Sequence, residues 1–169
     1  MAKHKTTKET VMPVIFSRAC EYALRALLEM AQQPEQVSWA VQELSARTDT
    51  PAPFLAKTFQ LLVKGGVLHS VKGRRGGFTF ARSPGKISLM EIVDIIDGDA
   101  LTKNCALGLP ACSDVNPCPF HSRWKGIRNT ITTALRNGTL LRMAQDNLSA
   151  AAKHKSKAAK PRRFSRGSS

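Results

Sequence analysis

The sequence lacks features that mark two large classes of protein. It contains no run of about 18 apolar residues, which a transmembrane helix requires. Its polar, basic N-terminus also lacks the apolar middle segment of a secretory signal. Aromatic residues make up only 6% of the chain, too few to favour a β-sandwich or a barrel. We therefore expect a mainly α-helical, cytoplasmic protein that does not enter a membrane.

Cysteine is also scarce, and its distribution is uneven. Cys20 stands alone, whereas Cys105, Cys112 and Cys118 fall within fourteen residues. In a cytoplasmic protein such a group is more often a metal or redox site than a disulfide framework. Cys20 falls on the apolar stripe of a predicted helix, which favours a core position for it.

Acidic residues are absent between Asp49 and Glu91, although the whole chain carries a net charge of +14. Seven basic residues occupy this acid-free stretch: Lys57, Lys64, Lys72, Arg74, Arg75, Arg82 and Lys86. Positive charge concentrated in this way indicates a surface that binds a polyanion. Residues 1–13 and 149–169 are basic and lack periodic apolar positions, so both are predicted to be disordered tails.

Residues 14–87 predict a winged helix-turn-helix. A first helix of about fifteen residues follows Ser17, a good N-cap. A second helix fits residues 41–46, and a third begins near Pro53, which can occupy a first helical turn. Two short alternating strands within residues 67–80 then flank a loop rich in Gly and Arg, and a hairpin in this position is a wing.

Residues 88–148 predict further helices around a cysteine-bearing loop. Ser88 and Glu91 form a capping box, a long helix is expected over residues 119–137, and a short one is expected after Thr139. The apolar stripe of the long helix consists of Trp124, Ile127, Ile131, Ala134 and Leu135. Since the winged-helix core looks complete without this stripe, we expect it to pack against a second copy of the chain.

Four stretches resemble the Rrf-type family of bacterial winged-helix regulators, which includes the iron–sulfur-cluster regulator and the nitric-oxide-sensitive repressor. They are SRACEYAL at 17–24, PFLAK at 53–57, GVLHSVKGRRGGF at 66–78, and the loop Cys105-x6-Cys112-x5-Cys118-Pro-Phe-His. The resemblance implies a homodimer at the bacterial nucleoid. It also implies that the third helix of each subunit lies in the major groove of a double-stranded DNA operator and that the wing lies in the minor groove.

The DNA-binding residues expected from this arrangement are Thr50, Phe54, Lys57, Gln60, Lys64, Lys72, Arg74 and Arg75. Arginines at the wing tip suit phosphates or a narrow minor groove. Ala56 stands where the cluster-assembly regulator has an acidic residue that contacts bases. We therefore do not expect this chain to bind the operator sequence of that relative.

The resemblance also implies that three thiolates hold an iron–sulfur cluster, to which soft sulfur ligands are suited. These thiolates belong to Cys105, Cys112 and Cys118. A helix beginning at Pro119 would make Cys118 its N-cap and bring His121 to the same site. His121 is the first choice for the fourth ligand, as in the cluster-assembly regulator, and favours a 2Fe–2S cluster. The alternative is Glu21 of the partner subunit, as in the nitric-oxide-sensitive repressor, which could accompany a 4Fe–4S cluster.

Two other functions compete with a regulator whose DNA affinity depends on a cluster. The first is a non-regulatory metalloprotein, either a zinc-stapled nucleic-acid-binding module or an electron carrier. Cysteine gaps of six and five residues are wide for zinc, whose paired ligands are usually two to four residues apart, and an electron carrier needs no basic wing. The second is an enzyme with a cysteine nucleophile. It is disfavoured because three of the four histidines lie in tails or in a wing strand, so we expect no enzymatic activity.

Overall fold

The computed structural model describes residues 15–73, 76–109 and 112–158, with side chains through residue 150. The elements are α1 (Arg18–Gln32), α2 (Val41–Thr48), α3 (Ala52–Lys64), β1 (Leu68–Val71), β2 (Gly77–Phe80), a 3-10 turn (Pro84–Lys86), α4 (Leu89–Asp97), α5 (Ala100–Lys103), α6 (His121–Asn137) and α7 (Leu140–Ala158). This order confirms a mainly helical, winged helix-turn-helix chain. Within the described ranges, no helix is both long enough and apolar enough to cross a membrane.

Local sequence signals set most helix boundaries. The Ser17 hydroxyl accepts a hydrogen bond from the Cys20 amide at 3.2 Å and caps α1. The Ser88 hydroxyl likewise accepts the Glu91 amide at 3.2 Å at the start of α4. Between α2 and α3, Asp49 adopts a left-handed conformation with φ 50°, which short polar side chains tolerate. These contacts confirm the predicted starts of α1 and α4 and the predicted turn between α2 and α3.

The wing is a two-stranded antiparallel hairpin in which Leu68 pairs with Phe80 and Val71 pairs with Gly77. A third extended segment joins it at Trp39. The amide of Trp39 donates to the Phe78 carbonyl, and the amide of Phe78 donates to the Trp39 carbonyl, both at 2.9 Å. The sequence did not predict this bridge, which fixes β2 against the segment before α2.

The hydrophobic core extends beyond the predicted winged-helix region. Leu140 and Ala144 of α7 are buried with Ile92 of α4 and the apolar faces of α1 to α3. The amide of Leu140 also donates to the carbonyl of Ile87 at 3.1 Å. The core therefore extends past residue 87, the predicted end of the winged helix-turn-helix, because residues of α4 and α7 contribute to it. The apolar face of α7 packs on α1 of the same chain and closes the core.

Two predictions near the C-terminal helices were also wrong. α7 is a long helix of 19 residues, so residues 149–158 continue it and do not form part of a disordered tail. α6 begins at His121 with Phe120 as its N-cap, because residues 119–120 form a turn in which the Cys118 carbonyl accepts the His121 amide at 2.9 Å. Cys118 is thus not the N-cap of α6. The predicted tails 1–13 and 159–169 lie outside the described residues.

Candidate functional site

The outer face of α3 gathers the predicted DNA-contacting residues of that helix. Lys57, Gln60 and Lys64 are exposed at three- and four-residue intervals, so their side chains lie along one side of the helix. Phe54 is 41% exposed at the start of α3. The outer face of α3 therefore presents two cations, one amide and one aromatic ring to a ligand.

Thr50 does not belong to this exposed surface. Its side chain is only 2% exposed, and its hydroxyl donates to the Thr48 carbonyl at 3.3 Å. The hydroxyl of Thr48 in turn donates to that of Thr50 at 3.2 Å. The prediction that Thr50 contacts DNA is therefore not supported by its position, because its side chain is used inside the turn between α2 and α3.

The sequence did not single out the side chains that flank the start of α3. Tyr22 packs edge-to-face against Phe54 with ring centroids 5.6 Å apart. The Arg25 guanidinium lies 5.9 Å from the centroid of the Tyr22 ring, a distance typical of a cation–π contact. The i, i+3 spacing of Tyr22 and Arg25 on α1 was the available signal. Together the three side chains extend the cationic surface from α3 onto α1.

The wing contributes Lys72, which is exposed after β1, whereas Arg74 and Arg75 lie outside the described residues. A crevice of about 370 Å³ separates the wing from the helix-turn-helix. It is lined by Ala40, Val41, Gln42, Ala52, Pro53, Ala56, Gly76 and Gly77. The start of α2 faces this crevice without a side-chain cap, and the free amides of a helix start favour an anion.

Arg82 belongs to the acid-free stretch, but its side chain forms contacts within the protein. Its guanidinium donates to the Gly66 carbonyl at 2.7 Å and forms an ion pair with Glu91. These contacts tie the end of the wing to α3 and α4. Positive charge in the sequence therefore overstates the number of cations available to a polyanion.

The cysteine loop brings the four predicted in-chain ligands together in two pairs. The sulfur atoms of Cys105 and Cys118 are 3.9 Å apart. The sulfur of Cys112 lies 3.3 Å from Nδ1 of His121. Within the parts of the chain that the structure describes, no group of three or more His, Cys, Asp or Glu side chains is arranged to bind one metal ion. The arrangement is therefore two neighbouring donor pairs.

The environment of Cys105 favours its thiolate. The backbone amides of Leu107 and Leu109 lower the pKa of the Cys105 thiol below its usual value, and the thiols of Cys118 and Cys112 add to this effect. Thiolates, unlike thiols, bind metals. Cys20 behaves in the opposite way, since burial chiefly raises the pKa of its thiol to about 12, as expected for a core residue.

His121 lies at the centre of a polar network that the sequence did not predict. Its ring is buried at 5% exposure, and Nε2 is 2.9 Å from a carboxylate oxygen of Asp114. Lys125 donates to both oxygens of Asp114, at 2.8 and 2.9 Å, which together with His121 lowers the pKa of that carboxyl. Arg128 reaches the Cys112 sulfur at 3.6 Å. The spacing of four and seven residues after His121 was the signal for Lys125 and Arg128.

Glu21, the alternative ligand, occupies the first turn of α1 and is partly buried. Among the described residues it makes no hydrogen bond to the cysteine loop of its own chain. A neighbouring contact does connect α1 to the segment before that loop, because the Ser17 amide donates to Asp97 at 2.9 Å. Asp97 is the last residue of α4.

The predicted apolar stripe of α6 lies largely on the surface of the single chain. The buried residues of α6 are His121 and Thr132, whereas Ile127 is 47% exposed. The Trp124 indole donates to the Asn104 carbonyl at 3.0 Å, which fixes α6 beside α5. Ile131 is only partly buried, so one protomer leaves much of this stripe uncovered.

Comparisons with known proteins identify transcriptional regulators that are similar to this chain. The Rrf2 family, described as an iron-dependent transcriptional regulator, matches residues 16–146. A protein of Aquifex aeolicus named as an HTH-type transcriptional regulator is 37% identical over 130 residues, covering 75% of this chain and 89% of that protein. The HTH-type transcriptional regulator IscR of Cronobacter sakazakii is 28% identical over 119 residues, covering 70% of this chain and 73% of IscR.

Solved structures show the same fold at lower sequence identity. IscR of T. potens superposes with a TM-score of 0.63 at 21% identity, covering 92% of this chain and 96% of that one. CymR, the global cysteine regulator of B. subtilis, gives 0.65 at 19% identity, covering 77% and 95%. The family match spans the winged helix-turn-helix, the cysteine loop, α6 and the start of α7. The chain therefore belongs to the Rrf2 family of transcriptional regulators, which are DNA-binding proteins and not enzymes.

Proposed function

We propose that this protein is a homodimeric regulator whose affinity for its DNA operator depends on an iron–sulfur cluster. The proposed ligands are Cys105, Cys112, Cys118 and His121. The single observation that carries the proposal is the arrangement of these four side chains in two donor pairs, within a chain whose α3 presents a cationic face. The relatives named IscR and the iron-dependent family description point in the same direction.

The distances within the two pairs suit shared metal atoms. Two thiolates on one tetrahedral metal ion stand about 3.8 Å apart, and a thiolate and an imidazole nitrogen stand about 3.6 Å apart, given metal–ligand bonds near 2.3 and 2.05 Å. The pairs Cys105–Cys118 and Cys112–His121 measure 3.9 and 3.3 Å. Two protein ligands on each iron are the pattern of a 2Fe–2S cluster, whereas one zinc ion would need all four donors around a single point.

His121 is preferred over Glu21 as the fourth ligand because it already lies beside Cys112 in the same chain. Glu21 would have to come from the partner subunit and would accompany a 4Fe–4S cluster. When bound, an iron–sulfur cluster would supply a centre that oxidants or nitric oxide can alter. The bound cluster would then fix the position of the loop relative to α4. The contact between Asp97 and Ser17 would connect α4 to α1.

On DNA, we infer that α3 occupies the major groove. Lys57 and Lys64 would contact phosphates, while the amide of Gln60 could bind an adenine edge with two hydrogen bonds. Lys72 and the wing arginines at 74 and 75 would lie along the minor groove. This assignment rests on the exposed side chains of α3, on the exposed Lys72 after β1 and on the family match.

We also infer a homodimer formed through α6, working in the cytoplasm at the nucleoid. The supporting observation is the apolar stripe around Ile127 and Ile131, which the single chain leaves partly exposed. A second copy of α6 is the expected cover, because a two-fold interface brings the same patch of each subunit together. Each cysteine loop would then lie beside the dimer interface.

The central test compares Cys112→Ala with a matched control, Cys20→Ala, both purified without oxygen. We expect the wild type and Cys20→Ala to be coloured and to contain iron and acid-labile sulfide. Cys112→Ala should lose most of both. A colourless wild type loaded with zinc would contradict the proposal, as would a Cys112→Ala protein with the wild-type spectrum.

The link to regulation requires an operator, which genome-wide mapping of bound sites would supply. DNA affinity would then be measured by fluorescence anisotropy for the cluster-loaded and cluster-free wild type. We expect the two affinities to differ. Equal affinities on every mapped site would overturn the regulatory part of the proposal and leave a DNA-binding metalloprotein. Spectra of His121→Ala and Glu21→Ala would identify the fourth ligand.

A further inference from the structure

Asp114 is an exposed residue with an unusual set of contacts. Its side chain is 71% exposed, and an exposed carboxylate is normally solvated. Here one oxygen lies 2.9 Å from Nε2 of His121, and Lys125 binds both oxygens at 2.8 and 2.9 Å. The carboxylate therefore connects a buried ring to a surface cation.

The two nitrogens of His121 face different partners. Nε2 faces Asp114, whereas Nδ1 faces the sulfur of Cys112 at 3.3 Å. A neutral imidazole carries a proton on one nitrogen only, and the other nitrogen has the lone pair that a metal needs. A carboxylate beside Nε2 accepts a hydrogen bond from an Nε2–H group and so favours the form in which Nδ1 is free.

We propose that Asp114, held by Lys125, is the positioning residue that orients His121 and presents its Nδ1 to a metal beside Cys112. The inference rests on the proposed function, because it assigns a role to a neighbour of a proposed ligand. A carboxylate behind a ligating histidine fixes both the orientation of the ring and the position of its proton.

The contacts argue against two simpler roles for Asp114. As a metal ligand, Asp114 would need a free oxygen directed at the sulfur atoms, but both its oxygens are engaged by Lys125, and one of them by His121 as well. A simple surface ion pair with Lys125 would not explain the 2.9 Å contact between Asp114 and the ring of His121, which is 5% exposed. The path from Lys125 through Asp114 to His121 accounts for all three contacts.

The test uses Asp114→Ala, with Arg123→Ala as its control. Arg123 is an exposed cation on α6, the helix that carries His121 and Lys125. Long-range ¹H–¹⁵N NMR of the metal-free protein reads directly which nitrogen of His121 carries the proton. We expect the Nε2–H form in the wild type and in Arg123→Ala, and a mixture of both forms in Asp114→Ala. Circular dichroism would check that each variant keeps the helical content of the wild type.

A second readout follows the iron. Loss of a group that supports a metal ligand typically weakens metal binding about 10- to 100-fold. Asp114→Ala should therefore release iron to a chelator at least several-fold faster than the wild type, although its three cysteines remain. Lys125→Ala should shift both readouts in the same direction but less far, and it replaces Asp114→Ala if that variant does not fold.

The outcomes separate this inference from the proposed function. If Asp114→Ala and Lys125→Ala keep the wild-type His121 proton position and iron release, while Cys112→Ala loses its iron, Asp114 is not a positioning residue and the cluster proposal stands. If Cys112→Ala also retains a wild-type spectrum, the cluster proposal itself fails. A wild-type His121 protonated mainly on Nδ1 in the metal-free protein would likewise overturn the role of Asp114.

Discussion

At the scale of single residues, the four cysteines divide by environment. Cys20 is fully buried in α1, and its thiol has a pKa of about 12, mainly because burial disfavours the charged form. The three loop cysteines are partly exposed. Identical side chains therefore have different chemistry, and burial is the cause.

This difference predicts the order of alkylation. In the metal-free protein at mildly alkaline pH, iodoacetamide should modify Cys105, Cys112 and Cys118 well before Cys20, because the reactive species is the thiolate. Mass spectrometry of peptides would give the extent of reaction at each site. In urea, Cys20 should react as quickly as the others. Rapid modification of Cys20 in the folded protein would contradict its assignment to the core.

Arg82 provides a second prediction at this scale. Arg82→Ala should lower the free energy of unfolding by about 1 kcal/mol or more, because it removes a charged donor from a carbonyl and from Glu91. Lys86→Ala, an exposed change nearby, should have little effect on stability. Urea unfolding at equal protein concentration would measure both. A stable Arg82→Ala protein with reduced DNA affinity would show instead that Arg82 contacts DNA.

At the scale of elements, the wing depends on a close approach between backbone segments. A Cβ atom at Gly77 would lie 2.3 Å from the Trp39 carbonyl oxygen, a distance that no relaxed structure allows. Only glycine therefore lets β2 pair with the Trp39 segment. The position of the wing relative to α2 follows from this contact.

Gly77→Ala should accordingly reduce the free energy of unfolding by about 1–3 kcal/mol or more, the usual cost of forcing extra atoms into a packed site. Gly126→Ala is the control, because a Cβ there meets nothing within 4 Å in the single chain. It should stabilise α6 by about 0.5–1 kcal/mol. Thermal and urea unfolding would compare the two, and equal effects would contradict the proposed contact.

The recognition helix can be tested through the salt dependence of binding. Each phosphate contact contributes about −0.9 to the slope of log K against log salt concentration. Lys57→Ala and Lys64→Ala should each flatten that slope and weaken binding to all sequences. Gln60→Ala should leave the slope unchanged and alter the preference among sequences. Unchanged slopes in both lysine variants would place the phosphate contacts elsewhere, such as in the basic tail.

At the scale of the whole molecule, assembly should depend on the apolar stripe of α6. Burying a large apolar side chain contributes roughly 1.5–3 kcal/mol, so Ile127→Asp or Ile131→Asp should shift the protein to monomers. Asn129→Asp adds the same charge on the opposite side of α6 and should remain dimeric. Sedimentation velocity at micromolar concentration would distinguish them. A folded wild-type monomer would exclude this interface.

Much of the fold and part of the candidate site could be predicted from the sequence, because the signals are local. Ser17 and Ser88 cap helices through their own hydroxyls, the glycines at 65 and 66 end α3, and the spacing of Lys57, Gln60 and Lys64 places them on one face. Cysteine spacing and the neighbouring His121 identified a cluster of donor side chains. Such features depend on residues a few positions apart, and backbone geometry fixes their relation.

Other features required contacts between distant segments, and only the tertiary structure decided them. α7 closes the core against α1, Trp39 joins the wing, and the burial of Thr50 removes it from the DNA surface. Asp114 meets His121 and Lys125 because a seven-residue span of loop folds back over α6. The sequence by itself determined the helices of the helix-turn-helix, the wing and the set of candidate ligands. Long-range packing decided which side chains remain accessible and which partners they meet, since burial depends on the arrangement of the whole chain.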